Sequence, residues 1–162
     1  MGKTAIIIVA AIAVVAVAAA GLYFFVLNNE KHDYLEYTVT STSPGVTVDG
    51  TMRITFLGET DTQMQIKFDY NFNITAEGAT ISVKYSETEW VDKDADIGWD
   101  MGEKKGTAVI DTKWGPKNVD IYEETDGGET IRWYIAGKIP YKMELITPGY
   151  TLTVQLSKTN ML

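Results

Sequence analysis

Five carboxylates are spaced through a twelve-residue segment in a way that could hold a cation. They are Asp92, Asp94, Asp96, Asp100 and Glu103, at positions 1, 3, 5, 9 and 12 of that segment. An EF-hand loop gathers oxygen ligands around Ca²⁺ with the same spacing and ends on a glutamate. The segment is therefore a candidate calcium site, and no other cofactor is indicated.

The segment departs from a calcium loop at its sharpest turn. Position 6 should be glycine, but Ile97 stands there and the glycine follows one place late as Gly98. A β-branched residue resists the positive φ that the turn requires. The alternative interpretation is a solvated acidic loop between two strands, which is common on protein surfaces.

Other arrangements that support catalysis are scarce. The chain has no cysteine, so it offers no thiol nucleophile and no triad built on one, and its one histidine, His32, stands a few residues from the predicted membrane anchor. Two pairs of acids, Glu87 with Glu89 and Glu123 with Glu124, offer carboxylates of the kind used in glycoside hydrolysis. Charged residues on a solvated strand are the ordinary explanation, and the sequence predicts that the chain is not an enzyme.

The charge of the chain restricts its partners. The formal net charge is −8, which repels the phosphate backbone of nucleic acids. Cations and basic protein surfaces are the partners that this charge favours. We therefore expect no nucleic-acid partner.

An uncharged apolar run near the start predicts a membrane anchor. It extends from Thr4 to Leu27, and about 24 residues at 1.5 Å each make a helix long enough for a hydrocarbon core of about 30 Å. A cleaved signal peptide is the alternative, because Ala18-Ala19-Ala20 resembles a cleavage site. The prediction is a single-pass protein of the cell membrane, with its N-terminus inside. Residues 1–30 would form the anchor and flank, and residues 31–162 an extracytoplasmic domain.

Alternation of apolar and polar residues after position 33 predicts an all-β domain. The candidate strands are Leu35–Thr40, Val46–Phe56, Gln63–Ile74, Thr80–Tyr85, Thr107–Thr112, Val119–Glu123, Ile131–Ile135, Tyr141–Leu145 and Tyr150–Leu156. Short turns between them favour an antiparallel up-and-down meander of about 8–9 strands.

A sheet with one apolar face and no helix to cover it must curl into a barrel or half-barrel. Its interior would be filled by side chains or shaped around an apolar ligand. The bulk of the inward residues favours filling, the largest being Phe56, Phe68, Phe72, Trp133 and Met143. A tryptophan in a predicted turn, Trp114, would either face a partner or fold back over one end.

The C-terminal part of the chain resembles two groups of proteins. The run from Gly106 to Leu145, with Asp111-Thr112-Lys113-Trp114-Gly115 and Gly137-Lys138-Ile139-Pro140-Tyr141, is similar to uncharacterised archaeal membrane-anchored surface proteins with a single β domain. Its tryptophan-bearing strand, turn and proline-led strand are also loosely similar to the half-barrels of the LolA family. These resemblances imply a membrane-tethered β domain facing outward, and the second implies a lipid carrier.

Three functions follow as expectations. The first is a membrane-tethered binding or interaction module whose partner is another envelope protein or a small ligand. The second is a structural cell-surface component that assembles with copies of itself through its strand edges. The third is the lipid carrier implied by the half-barrel resemblance.

Overall fold

The computed structural model describes residues 30–42, 44–76, 78–93 and 102–162. Its nine strands are β1 (Tyr34–Thr42), β2 (Val46–Glu59), β3 (Gln63–Ala76), β4 (Ala79–Asp92), β5 (Glu103–Thr112), β6 (Gly115–Asp126), β7 (Glu129–Ala136), β8 (Ile139–Thr147) and β9 (Tyr150–Thr159). The predicted all-β, antiparallel, up-and-down architecture is confirmed. Within the described ranges there is no helix with the length and apolar character that crossing a membrane requires. The predicted anchor, residues 4–27, lies outside them.

The strands form a single open sheet in the order β4-β3-β2-β1-β9-β8-β7-β6-β5. Every chain-adjacent pair is also a spatial pair, as short turns predict, except β4 and β5. The first and last strands pair instead, with Val39 opposite Val154. The meander is thus broken between β4 and β5, which become the two edges of the sheet.

The core lies on one face of the sheet because alternate residues point to the same side. On β2, Val48, Met52, Ile54 and Phe56 are buried while the residues between them are more exposed. The predicted bulky inward residues all belong to this core: Phe56, Phe68, Phe72, Trp133 and Met143. Their burial confirms the inward face that alternation predicted.

The β5–β6 hairpin contacts strands that are not its neighbours in the sheet. The Trp114 ring meets the Tyr141 ring edge-on, with centroids 6.4 Å apart. The Lys117 ammonium lies 5.6 Å from the centroid of the same Tyr141 ring. The Gln155 side-chain amide donates to the Asp111 carbonyl oxygen at 3.3 Å. Since β6 and β7 separate β5 from β8 in the sheet, these contacts require the β5–β6 hairpin to bend back towards β8 and β9.

One tyrosine in the core carries a hydroxyl whose removal should be tolerated. Tyr37 is 2 % exposed, and its hydroxyl has no hydrogen-bond partner among the described residues. Burial, aided by nearby Tyr141, raises the pKa of Tyr37 above its usual range. A buried hydroxyl without a partner costs about 1–3 kcal/mol. We therefore expect Tyr37→Phe to raise the free energy of unfolding by about 1 kcal/mol, measured by chemical denaturation.

A matched substitution should have the opposite effect. The Tyr134 hydroxyl donates to Glu144 Oε2 at 2.8 Å, so we expect Tyr134→Phe to lower the free energy of unfolding by about 1–2 kcal/mol. A loss of stability in Tyr37→Phe as large as that in Tyr134→Phe would contradict the interpretation.

Candidate functional site: the open edge of β4

The two edges of the sheet differ in how well they are protected against pairing. An unprotected edge strand presents a row of free N–H and C=O groups, and proteins usually blunt it with bulges, lysines or proline. β5 has such protection, because its register with β6 shifts between Lys104 and Gly106, and Lys104 and Lys105 stand at that bulge.

β4 has weaker protection, because no bulge interrupts it, its one lysine, Lys84, points to the outer face, and charges occur on its inward face only at Glu87 and Glu89. It is 14 residues long and contains no proline. Its pairing with β3 runs from Gln63 opposite Asp92 to Ala76 opposite Ala79 without a register shift. On the other side of β4, no strand pairs with it among the described residues. β4 is therefore a long, regular edge of the kind to which another strand can add.

The inward row of β4 is largely exposed. Residues directly opposite each other in an antiparallel pair point to the same face. On β3 the opposing residues Ile74, Phe72, Tyr70, Phe68 and Ile66 belong to the core. The β4 row that faces the same way consists of Ile81, Val83, Tyr85, Glu87, Glu89 and Val91, of which Val91 lies opposite Met64 and packs against the core.

Among the described residues, the fully buried core residues on this side of the sheet end at β3, and Val91 is the one apolar residue of β4 that packs against them. Ile81 is 60 % exposed, Val83 41 % and Tyr85 57 %, although each lies beside a buried residue of β3. Only the Tyr85 ring gains a partner there, stacking on Tyr70 with centroids 6.2 Å apart. We call this exposed row, together with the unpaired backbone of the strand, the β4 edge.

The opposite face of β4 is mostly polar apart from the exposed Trp90 near its end, and two of its serines bond to side chains of β3. Ser82 donates to Asn73 Oδ1 at 2.7 Å, and Ser86 donates to Asp69 Oδ1 at 2.7 Å. Serine, lysine and acidic groups of this outer side face solvent. The unsatisfied surface of β4 is therefore its inward row and its backbone.

The predicted calcium ligands fall at the break in the sheet. Asp92 is the last residue of β4, and its Oδ1 accepts a hydrogen bond from the Gln63 amide at 2.8 Å. Glu103 is the first residue of β5 and pairs with the Lys105 ammonium at 2.8 Å. Asp94, Asp96 and Asp100 lie outside the described residues. Within the described ranges, no group of three or more histidine, aspartate or glutamate side chains could hold a metal.

The paired acids that suggested hydrolytic chemistry have other partners. Glu123 accepts from Arg132 Nε at 2.7 Å, and these two residues are opposite each other on β6 and β7. Arg132 also lies 3.6 Å from Glu144 on the next strand. Glu87 accepts a long hydrogen bond of 3.4 Å from the Tyr70 hydroxyl. The Glu123 contact is an ordinary cross-strand ion pair of the kind that stabilises sheets.

A second ion cluster joins the first and last strands. Glu36 on β1 pairs with Arg53 on β2 at 2.6 Å and with Lys158 on β9 at 2.9 Å. Burial opposes ionisation of Glu36, but the hydrogen bonds from Lys158 and Arg53 outweigh it and lower its pKa. A lowered folded-state pKa stabilises the fold above the unfolded value, and this stabilisation is lost as pH falls through the folded value.

Low pH should therefore lower the free energy of unfolding, in part because Glu36 becomes protonated. We expect Glu36→Gln to lower the free energy of unfolding by about 1–2 kcal/mol at about pH 6. The difference from the parent chain should shrink as pH falls below the ordinary pKa of glutamate and should vanish below the lowered folded-state pKa, where Glu36 is protonated in both states. Urea denaturation at several pH values measures this, with Glu129→Gln at an exposed turn-flanking position as control. A constant difference across the pH range would contradict the assignment.

Comparisons with known proteins support no argument about the fold or the function of this chain. No protein-family model and no curated protein sequence matches the chain. Among solved structures, the hypothetical protein CT021 from Chlamydia trachomatis is similar with a TM-score of 0.37 and 7 % identity. That match covers 88 % of this chain and 92 % of the other. At this level of similarity it supports no conclusion about function.

Proposed function

We propose that the chain is a membrane-tethered extracytoplasmic binding module that accepts an extended segment of a partner protein at the β4 edge. The observation that carries this proposal is the asymmetry of the sheet. One edge is interrupted by a bulge with two lysines, whereas the other is long and regular and exposes Ile81, Val83 and Tyr85 on its inward row. Strand addition supplies affinity through the main chain and specificity through alternate side chains.

The tether and the shape are part of the same proposal. The uncharged run from Thr4 to Leu27 supports a single-pass anchor that holds the domain at the outer surface of the cell membrane. The one-sided core and the bend of the β5–β6 hairpin towards Tyr141 support a half-barrel open between β4 and β5. If the anchor is retained, the full-length chain stays with source membranes after an alkaline wash. Release of a shortened chain would contradict the tether.

Two other functions are less well supported. A lipid carrier needs an accessible apolar interior, but here the inward face is packed with bulky side chains such as Phe68, which is 2 % exposed, and Trp133, which is 1 % exposed. Self-assembly through strand edges uses the same β4 edge and differs only in the identity of the partner. It is therefore an outcome of the tests below.

Site-specific crosslinking tests the proposal. A photoreactive benzoylphenylalanine would replace Tyr85, which is 57 % exposed on β4, in the full chain expressed in source cells. The control position is Val109, which is 64 % exposed on the other edge strand. We expect one discrete adduct from position 85 and none from position 109.

A matched pair of substitutions then tests whether formation of the adduct depends on the β4 edge. Val83→Lys puts a charge in the apolar row and should abolish the adduct, whereas Val109→Lys makes the same change on β5 and should leave it intact. Equal adducts at both positions, or an adduct that survives Val83→Lys, would overturn the proposal.

The calcium site remains a separate proposal. A cation held by Asp92, Asp94, Asp96, Asp100 and Glu103 would link the ends of β4 and β5. With a dissociation constant of about 1 mM, about 10 mM Ca²⁺ should stabilise the fold by about 1.4 kcal/mol and raise Tm by a few degrees. Asp94→Ala should abolish that rise. No rise in Tm, or a rise that persists in Asp94→Ala, would exclude the site.

A further inference from the structure

The inward row of β4 changes chemistry along its length. Its exposed part begins with the apolar residues Ile81, Val83 and Tyr85 and continues with the acidic residues Glu87 and Glu89, while Val91, which follows them, packs against the core. All six point to the same face as the core residues of β3. A strand that added to β4 would place alternate side chains directly beside this row. It would therefore meet apolar groups at one end and two carboxylates at the other.

The two carboxylates can still receive a cation, although Glu87 accepts a long hydrogen bond of 3.4 Å from the Tyr70 hydroxyl. Among residues 30–42, 44–76, 78–93 and 102–162, no ion pair involves Glu87 or Glu89. Lys84, on the same strand, has the opposite parity and so points to the other face. Like charges two residues apart on one face repel, and a cation placed between them relieves this repulsion.

A second copy of the chain does not match this row well. In an antiparallel pair of β4 edges with Tyr85 opposite its symmetry mate, Glu87 would face Val83 and Glu89 would face Ile81. Such a pair would supply no base to either glutamate. Each copy also has a net charge of −8, which opposes association. The β5 edge does carry lysines, but Lys104 is paired with Asp120 at 2.8 Å and Lys105 with Glu103 at 2.8 Å.

We propose that the occupant of the β4 edge is an extended basic segment of a different protein. This inference rests on the proposed function, that β4 accepts a strand. For antiparallel addition, the inward residues of the segment read, from its N-terminus, two basic residues followed by three apolar ones at alternate positions. For parallel addition the order is reversed. The residues between them face the polar side and are less constrained.

Model peptides test the charge requirement on the full chain in mild detergent. The probe is a labelled nine-residue peptide of sequence Lys-Thr-Lys-Thr-Val-Thr-Ile-Thr-Val, used together with its reversed sequence. The comparison peptides carry glutamate in place of both lysines. By fluorescence anisotropy at low salt, we expect a lysine peptide to bind about tenfold more tightly than its glutamate counterpart. The advantage should disappear towards 1 M salt.

A charge reversal on the protein locates the effect. The double substitution Glu87→Lys and Glu89→Lys should invert the preference, so that the glutamate peptide binds more tightly. The control is the double substitution Glu124→Lys and Glu129→Lys at exposed positions. Each Glu→Lys change adds two positive charges, so both double variants change the net charge from −8 to −4. Inversion in the first variant and not in the second supports the proposal. The same inversion in both would show only a long-range effect of net charge and would overturn it.

The remaining outcomes separate the inference from the proposed function. Equal binding of lysine and glutamate peptides, lost in Val83→Lys, would overturn the basic partner while strand addition at β4 stands. Concentration-dependent self-association that is lost in Val83→Lys would do the same and identify a second copy as the occupant. Failure of every peptide to bind, together with no adduct from position 85, would overturn the proposed function itself.

Discussion

Replacing Trp133 with alanine is expected to lower the free energy of unfolding by about 3–5 kcal/mol. Trp133 is 1 % exposed on β7 and belongs to the core cluster. It lies opposite Tyr122 on β6 and Met143 on β8, so its ring joins three strands. Truncation would leave a cavity that the pleated backbone on both sides cannot fill. The loss is large because total stability is commonly only about 5–15 kcal/mol.

A second tryptophan provides the control for this measurement. Trp90 lies on β4 and is 51 % exposed. Trp90→Ala removes the same side chain from a solvated position and should cost less than about 1 kcal/mol. Urea denaturation followed by far-UV circular dichroism measures both without depending on indole fluorescence. Similar losses in the two variants would show that the core is not where the structure places it.

The substitution Gly50→Ala is expected to be nearly as damaging, although it adds a single methyl group. Gly50 lies within β2, directly opposite Phe72 on β3. A Cβ at this position would fall 2.6 Å from Phe72 Cδ1 and 2.7 Å from Phe72 Cα, and would also clash with the Asn71 carbonyl oxygen. Backbone atoms cannot move aside without breaking the β2–β3 pairing, so we expect a loss of about 2–4 kcal/mol.

The control is a position where glycine is required by the backbone conformation and not by lack of space. Gly45 has a φ of +80° in the β1–β2 turn, and a Cβ there would meet nothing within 4 Å. Gly45→Ala therefore costs only the left-handed backbone conformation, about 1–2 kcal/mol. Thermal denaturation of both variants measures the difference. If Gly45→Ala is the more damaging of the two, the close approach of Phe72 is not the reason for glycine at position 50.

Sequence patterns predicted the interior of the sheet well and its edges poorly. Alternation identified all nine strands, because a half-buried strand requires every second residue to be apolar. It placed the end of the fourth at Tyr85, whereas β4 continues to Asp92. The inward positions that follow, Glu87 and Glu89, are charged, and a strand with charged inward residues loses the apolar period. The intervening Thr88 and Trp90, with Val91 after them, are residues that favour strands and could have indicated the extension.

The location of the break could not be predicted from local patterns. It depends on the pairing of β1 with β9, residues separated by more than a hundred positions. Turn signals report only which strands follow each other closely along the chain. The β4 edge could therefore not be identified from the sequence as a candidate site. The acidic segment between β4 and β5 could be, because the spacing of its carboxylates is a local pattern. The need for glycine at position 50 could not be predicted either, because the Phe72 ring that leaves no room for a side chain belongs to the neighbouring strand.

The pairing of the first strand with the last also determines how the chain must fold. β1–β4 and β5–β9 are each built from neighbours in sequence, and such local hairpins form within microseconds. Joining the two halves requires β1 to find β9, a contact of high sequence separation that is entropically costly and slow. On the ribosome, β1 would remain without this partner until β9 (Tyr150–Thr159) has been synthesised, so that the two halves of the sheet join only after β9 emerges.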